Sequence, residues 1–173
     1  MASPAGARRR IRDAVEAHLG SREVARVIYG AIIGLALVLA FQGHPPEPGQ
    51  LAGLLIASAL AVGLAELYSE VIGTETRTRR PVRLADLRAM AAEALVVVFG
   101  AAFPAVFFLL AAAGVMETPT AFTWSKWTGL VLICGYGYLA GRLSGSGRGR
   151  ALLHALAIGL VGLALVGLKA LLH

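Results

Sequence analysis

Three carboxylates stand where a carboxylate is costly: Glu66 and Glu70 in the second of five long apolar stretches, and Glu93 near the start of the third. An ionisable group inside an apolar span needs a partner or a role, so each marks a candidate site. Glu66 and Glu70 are four residues apart and share one helix face. Counted from the near ends of their stretches at 1.5 Å per residue, Glu66 lies ~9 Å deep and Glu93 ~7 Å deep. The second stretch runs toward that boundary and the third runs back from it, so these two carboxylates can converge. Carboxylate oxygens converging at such a depth suit a proton or a hard divalent cation. The competing expectation is ion pairing at the boundary, with Glu70, Glu93 and, more weakly, the deeper Glu66 answering Arg88, Arg26 or Arg142. Cys134 and Met90 have no second Cys or His at metal spacing, which makes them packing residues, and His154 has no identifiable partner. No nucleophile–base pair, phosphate loop or paired metal motif occurs, so no enzyme is expected. The only small partner implied is a transported proton or divalent cation, with no bound cofactor.

The elements that must hold these residues are written in the hydropathy and the charge. The stretches cover about 24–41, 51–72, 89–114, 122–141 and 151–172, each near the ~20 residues with which a helix crosses ~30 Å of hydrocarbon. Backbone groups in lipid pair within their own segment, so the stretches must be helices. Of the 16 Lys and Arg, only Lys126 and Lys169 are lysines, and every arginine falls in one of three segments. Those segments precede the first stretch (Arg8 to Arg26), separate the second from the third (Arg77 to Arg88), and separate the fourth from the fifth (Arg142, Arg148, Arg150). The other connections, 42–50 and 115–122, carry neither Lys nor Arg. Basic residues near span ends stay on the cytoplasmic side, so the alternation predicts five transmembrane helices with the N-terminus inside and the C-terminus outside.

Composition agrees: the chain is 57% hydrophobic and 15% charged, with a mean hydropathy of +0.72, outside the range of soluble domains. The pI near 10.2 does not mark nucleic acid, because the arginines flank spans and are better matched to anionic inner-leaflet lipid. The expectation is an all-α, polytopic, multi-pass protein of a bacterial-type plasma membrane. Its parts are a cytoplasmic segment at 1–23 with an amphipathic or solvated helix from Arg8, and one five-helix membrane domain at 24–172. A short cytoplasmic loop at 73–88 and a tight hairpin at 144–149 join the helices on the inner side. Pro45, Pro46 and Pro48 fill the outer turn after the first span, which is therefore no cleavable signal. Small residues recur every fourth position at Gly30 and Gly34, at Gly53, Ala57 and Ala61, and at Gly137 and Gly141, which lets helices pack closely within the chain or across a homodimer. Pro104 predicts a kink and frees the carbonyl of Gly100. Tyr29, Tyr68, Tyr136 and Tyr138 belong to the inner interface, and Trp124 and Trp127 to the outer one.

Four segments together resemble the vacuolar iron transporter family of proton-coupled divalent-cation exporters, from about Arg22 to the C-terminus. Val27-Ile28-Tyr29-Gly30-Ala31-Ile32-Ile33-Gly34 resembles the family's first-span motif, with its Gly-Leu-Asn-Asp-Gly core. Ala65-Glu66-Leu67-Tyr68-Ser69 resembles Gly-Glu-Tyr-Leu-Ser at the inner end of span two. Phe99-Gly100-Ala101-Ala102-Phe103-Pro104 resembles Leu-Gly-Ala-Leu-Ile-Pro in span three, and Arg142-Leu143-Ser144-Gly145 a turn before the last span. The resemblance implies five spans, an inside N-terminus, a homodimer and Fe²⁺- or Mn²⁺-type transport. Glu66 would be the central carboxylate, Glu70 and Glu93 support it, and Tyr29, Gly30, Ile33, Gly34, Tyr68, Gly100 and Pro104 line the pathway. The family's first-span Asp falls on Ile33, its span-two Met on Val62, and its Glu-rich cytoplasmic helices are reduced to the segment 73–87. Two functions follow as expectations: a cation transporter centred on Glu66, or a non-transporting accessory or assembly protein whose carboxylates are salt-bridged.

Overall fold

The computed structural model describes residues 21–143 and 147–171, and within them every regular element is a helix. The elements are α1 (Ser21–Phe41), α2 (Pro48–Thr78), α3 (Leu84–Ala102), α4 (Ala105–Ala112), α5 (Thr118–Leu143) and α6 (Arg148–Leu171). The expected N-terminal helix from Arg8 and the middle of the 144–149 hairpin lie outside the described residues.

Local chemistry sets the boundaries. Pro48 opens α2 at its first turn, where a missing N–H costs nothing. At the other end Arg79 takes a left-handed conformation, φ 51°, and caps the helix. Arg80 precedes Pro81 and cannot stay helical. Between Ile72 and that cap nothing breaks the helix: Thr76 and Thr78 return their hydroxyls to the carbonyls of Ile72 and Thr74. The segment expected as a loop at 73–88 is therefore a short elbow at 79–83 between two helices. The third apolar stretch bends by 52° where α3 meets α4. Pro104 cannot donate to Gly100, and the chain turns there.

Two helices are long and apolar enough to cross a membrane, α1 over Val24–Phe41 and α2, and α3 with α4 make a third if the bent pair is one span. α5 has 26 residues, but Thr118, Thr120, Thr123, Ser125 and Lys126 dilute the apolar character of its first half.

α1 is the central helix. It packs against α3 and α5, with α2 and α4 on one flank and α6 on the other. The α1–α3 crossing is set by glycine. A side chain at Gly30 would run into the carbonyl of Val97, and a Cβ on Gly100 would stand 2.6 Å from the carbonyl oxygen of Val27. Gly34 likewise lies against Ala101. α5 and α6 meet in the same way: a Cβ on Gly141 would be 2.7 Å from the Cα of Ala151. Such small-residue contacts maximise dispersion between helices. At one end, Val38, Leu51, Leu55, Phe108 and Phe122 form a cluster, with the rings of Phe108 and Phe122 edge to face at 4.8 Å. Ala31, Leu35, Leu39 and Ile133 fill the middle.

Candidate functional site

The acidic residues meet at the other end of the bundle, around an arginine. Arg26 stands one turn into α1 and one turn before Gly30, so the close α1–α3 crossing carries it toward α3. There its Nη1 donates to Oε2 of Glu93. Its Nε lies 3.7 Å from Oε1 of Glu66 on α2. One guanidinium thus bridges carboxylates from two other helices, a use suited to its planar fork of donors. The Arg26 side chain is 15% exposed and those of Glu66 and Glu93 are 32% and 36% exposed. Gly63, one turn from Glu66, faces Val98 of α3 and holds α2 close enough for Glu66 to reach the same cation.

Glu66 and Glu93 therefore come together across α2 and α3, as their depths suggest, with Arg26 between them. Glu70 is placed elsewhere, 4.0 Å from Nη2 of Arg77 two turns further along its own helix. Among the described residues no group of three His, Cys, Asp or Glu is positioned to hold a metal ion. Glu66, Glu70 and Glu93 accordingly do not form a three-carboxylate cage.

The other candidates are packed or face outward. Gly30, Gly34 and Gly100 lie in the α1–α3 contact, and Pro104 is fully buried at the bend. Tyr29 and Tyr68 are exposed on the outer surface of the bundle, and Ile33 is half-buried. A cavity of about 340 Å³ lies at the opposite end, lined by Gln42, Pro45, Thr118, Pro119, Phe122 and Thr123, with no carboxylate. Beside it, Nζ of Lys126 reaches Oε1 of Gln42 at 3.4 Å and ties α5 to the end of α1.

Sequence reasoning set pairing with Arg26, Arg88 or Arg142 beside the cation site as the alternative for these carboxylates, and the structure puts Arg26 between Glu66 and Glu93. The signal was present: all three residues fall within a few turns of the same boundary. Depth counted along backbones puts Arg26 well short of Glu66, but an arginine side chain spans that difference.

No protein-family model, curated protein or solved structure matches this chain.

Proposed function

We propose that this chain is a five-span integral membrane protein, N-terminus inside and C-terminus outside. In this reading it acts as a non-transporting accessory or assembly subunit. The observation that supports it best is the guanidinium of Arg26 between Glu66 and Glu93. In a vacuolar-iron-transporter-like pathway those carboxylates would face a hydrated cavity and take the incoming cation. Here the protein supplies the cation, and three helices are joined by it. The departures at Ile33 and Val62 point the same way, since an Asp–Met ligand pair has become two aliphatic side chains. The small-residue ridge of Gly53, Ala57 and Ala61 on α2 faces outward, with no atom within 4 Å of a Cβ at Gly53. It offers a helix-packing face to a second copy, consistent with a homodimer in the plasma membrane.

One observation favours transport as the second reading. A single guanidinium answers two carboxylates, so the triad keeps one negative charge when all three groups are ionised. A proton or divalent cation, of the Fe²⁺ or Mn²⁺ type, would balance it, with Glu66 as the central carboxylate. Flux into proteoliposomes across Mn²⁺, Fe²⁺, Ca²⁺ and H⁺ separates the two. The accessory reading expects no flux above empty liposomes for the wild type or for Glu66→Gln. Flux that Glu66→Gln abolishes, with assembly intact, overturns it in favour of transport.

A further inference from the structure

The α2–α3 elbow holds arginines that the protein leaves without anions. α2 has 31 residues and is about 46 Å long, which exceeds the ~30 Å of a hydrocarbon core by roughly half. Its last turns therefore project through the headgroup layer. There the chain is tied down by its own side chains. Oε1 of Glu75 accepts the N–H of Val82 at 3.0 Å, folding the elbow back onto α2. The Thr78 hydroxyl donates to the Thr74 carbonyl at 2.9 Å and lies 3.3 Å from that of Arg80. Arg77 is occupied by Glu70 and Thr74.

Arg79, Arg80, Arg83 and Arg88 are different. All four are exposed, and none has an ion-pair or hydrogen-bond partner for its guanidinium among the described residues. On the bundle side of Arg79, Arg80 and Arg83 lie Tyr68 and Ile72 on α2 and Leu84 and Leu87 on α3, also exposed. Exposed apolar and aromatic side chains on both helices thus stand on the bundle side, and exposed guanidiniums stand beyond them at the elbow. That order matches acyl chain and then phosphate in a lipid leaflet.

We propose that this elbow is a binding surface for anionic phospholipid, with Arg79, Arg80 and Arg83 gripping the headgroup phosphate and Tyr68, Ile72, Leu84 and Leu87 lying along the acyl chain. Guanidinium forks suit phosphate oxygens, and the apolar strip selects a lipid over a soluble anion. The proposal depends on the membrane-spanning reading for the placement of the elbow at a bilayer surface, and is independent of whether the chain transports. Each basic residue near an anionic surface is worth about fivefold in affinity, so three together are worth about a hundredfold.

The test titrates the detergent-purified full chain with phosphatidylglycerol and with phosphatidylcholine, reading bound lipid by native mass spectrometry and stability by thermal shift. Wild type should bind phosphatidylglycerol far more tightly than phosphatidylcholine. The triple variant Arg79→Gln/Arg80→Gln/Arg83→Gln should lose about a hundredfold of that affinity, and the corresponding triple Lys variant should keep all but a few-fold. Equal binding of the two lipids by wild type overturns the proposal and leaves the five-span reading standing. So does a triple Gln variant whose lipid-free melting temperature falls along with its affinity, because the arginines would then be supporting the fold. Displacement of the lipid by millimolar inorganic phosphate alone overturns the lipid assignment in favour of a soluble anion.

Discussion

Arg26 reaches two carboxylates from a helix whose apolar stretch begins only at Val24. The three side chains do not contribute equally. Removing either carboxylate leaves a one-to-one pair. Removing the arginine leaves Glu66 and Glu93 facing each other across α2 and α3 with no counter-ion. Arg26→Gln should therefore destabilise by roughly 2–3 kcal/mol, below the ~3–5 of a buried pair because each carboxylate is about one-third exposed. Glu66→Gln and Glu93→Gln should each cost less than half of that, and Glu93→Gln should partly rescue Arg26→Gln. Thermal unfolding in detergent measures the order, and a Glu66→Gln variant as unstable as Arg26→Gln would contradict the triad. Ile33 asks the complementary question. It is half-buried next to Gly34, close to the middle of α1. An Asp there would stand in the apolar middle of a helix read as spanning the membrane and should cost several kcal/mol. Ile33→Asp should lose most of its folded yield, and Mn²⁺ should not restore it. Recovery with Mn²⁺ would argue for a surviving cation pathway.

At the scale of elements, most of the architecture could be read from the chain before any coordinates. Helices with edges near Phe41 and Gly141, a bend at Pro104, and close crossings at Gly30, Gly34 and Gly141 follow from span length, proline and small-residue spacing. What could not be read is the end of α2. Thr76 and Thr78 bond to carbonyls one turn back and Glu75 caps the elbow, so a polar, arginine-rich segment that looks like a loop remains helical to Thr78. The ridge at Gly53, Ala57 and Ala61 has the same spacing as the one at Gly30 and Gly34, yet only the latter is covered within the chain. Spacing alone does not distinguish a packed glycine from an outward one. Alanine does. Gly100→Ala places a Cβ 2.6 Å from the Val27 carbonyl and 2.9 Å from the amide of Ala31. Both are backbone atoms that cannot step aside, and the variant should lose about 1–3 kcal/mol. Gly53→Ala meets nothing within 4 Å and should leave monomer stability unchanged to within about 0.5 kcal/mol. Thermal melts of the two variants, run side by side, check the contrast.

Across the whole molecule, charge divides the two ends of the bundle. Along the chain α1, α2, α3, α5 and α6 alternate in direction, with α4 continuing α3 past its bend, so the α2–α3 elbow and the α5–α6 turn come to the same end. Arg77, Arg79, Arg80, Arg83, Arg88, Arg142, Arg148 and Arg150 all lie there. At the opposite end lie Glu47, Glu117 and Lys126, and Lys169 falls in the last turn of α6. An asymmetry of this size fixes how a helical bundle inserts, because arginine near a span end resists translocation. The five-span reading puts the arginine-rich end in the cytoplasm. Tags placed within 43–49 or at the C-terminus should then be accessible from outside intact cells, and tags near Ser3 or within 74–80 only after lysis. A protected C-terminal tag would remove one span and with it the parity on which the orientation rests. The cause can be tested separately from the outcome. Three or four arginines added to the turn at 44–50, together with removal of Arg8, Arg9, Arg10 and Arg12, weaken the asymmetry from both sides while leaving the glycines of the α1–α3 and α5–α6 crossings unchanged. That variant should insert in a mixture of orientations, seen as partial labelling of each tag from both sides. If it keeps a single orientation, charge is not what orients this bundle, and the packing of α1 against α3 and α5 would have to set it during assembly.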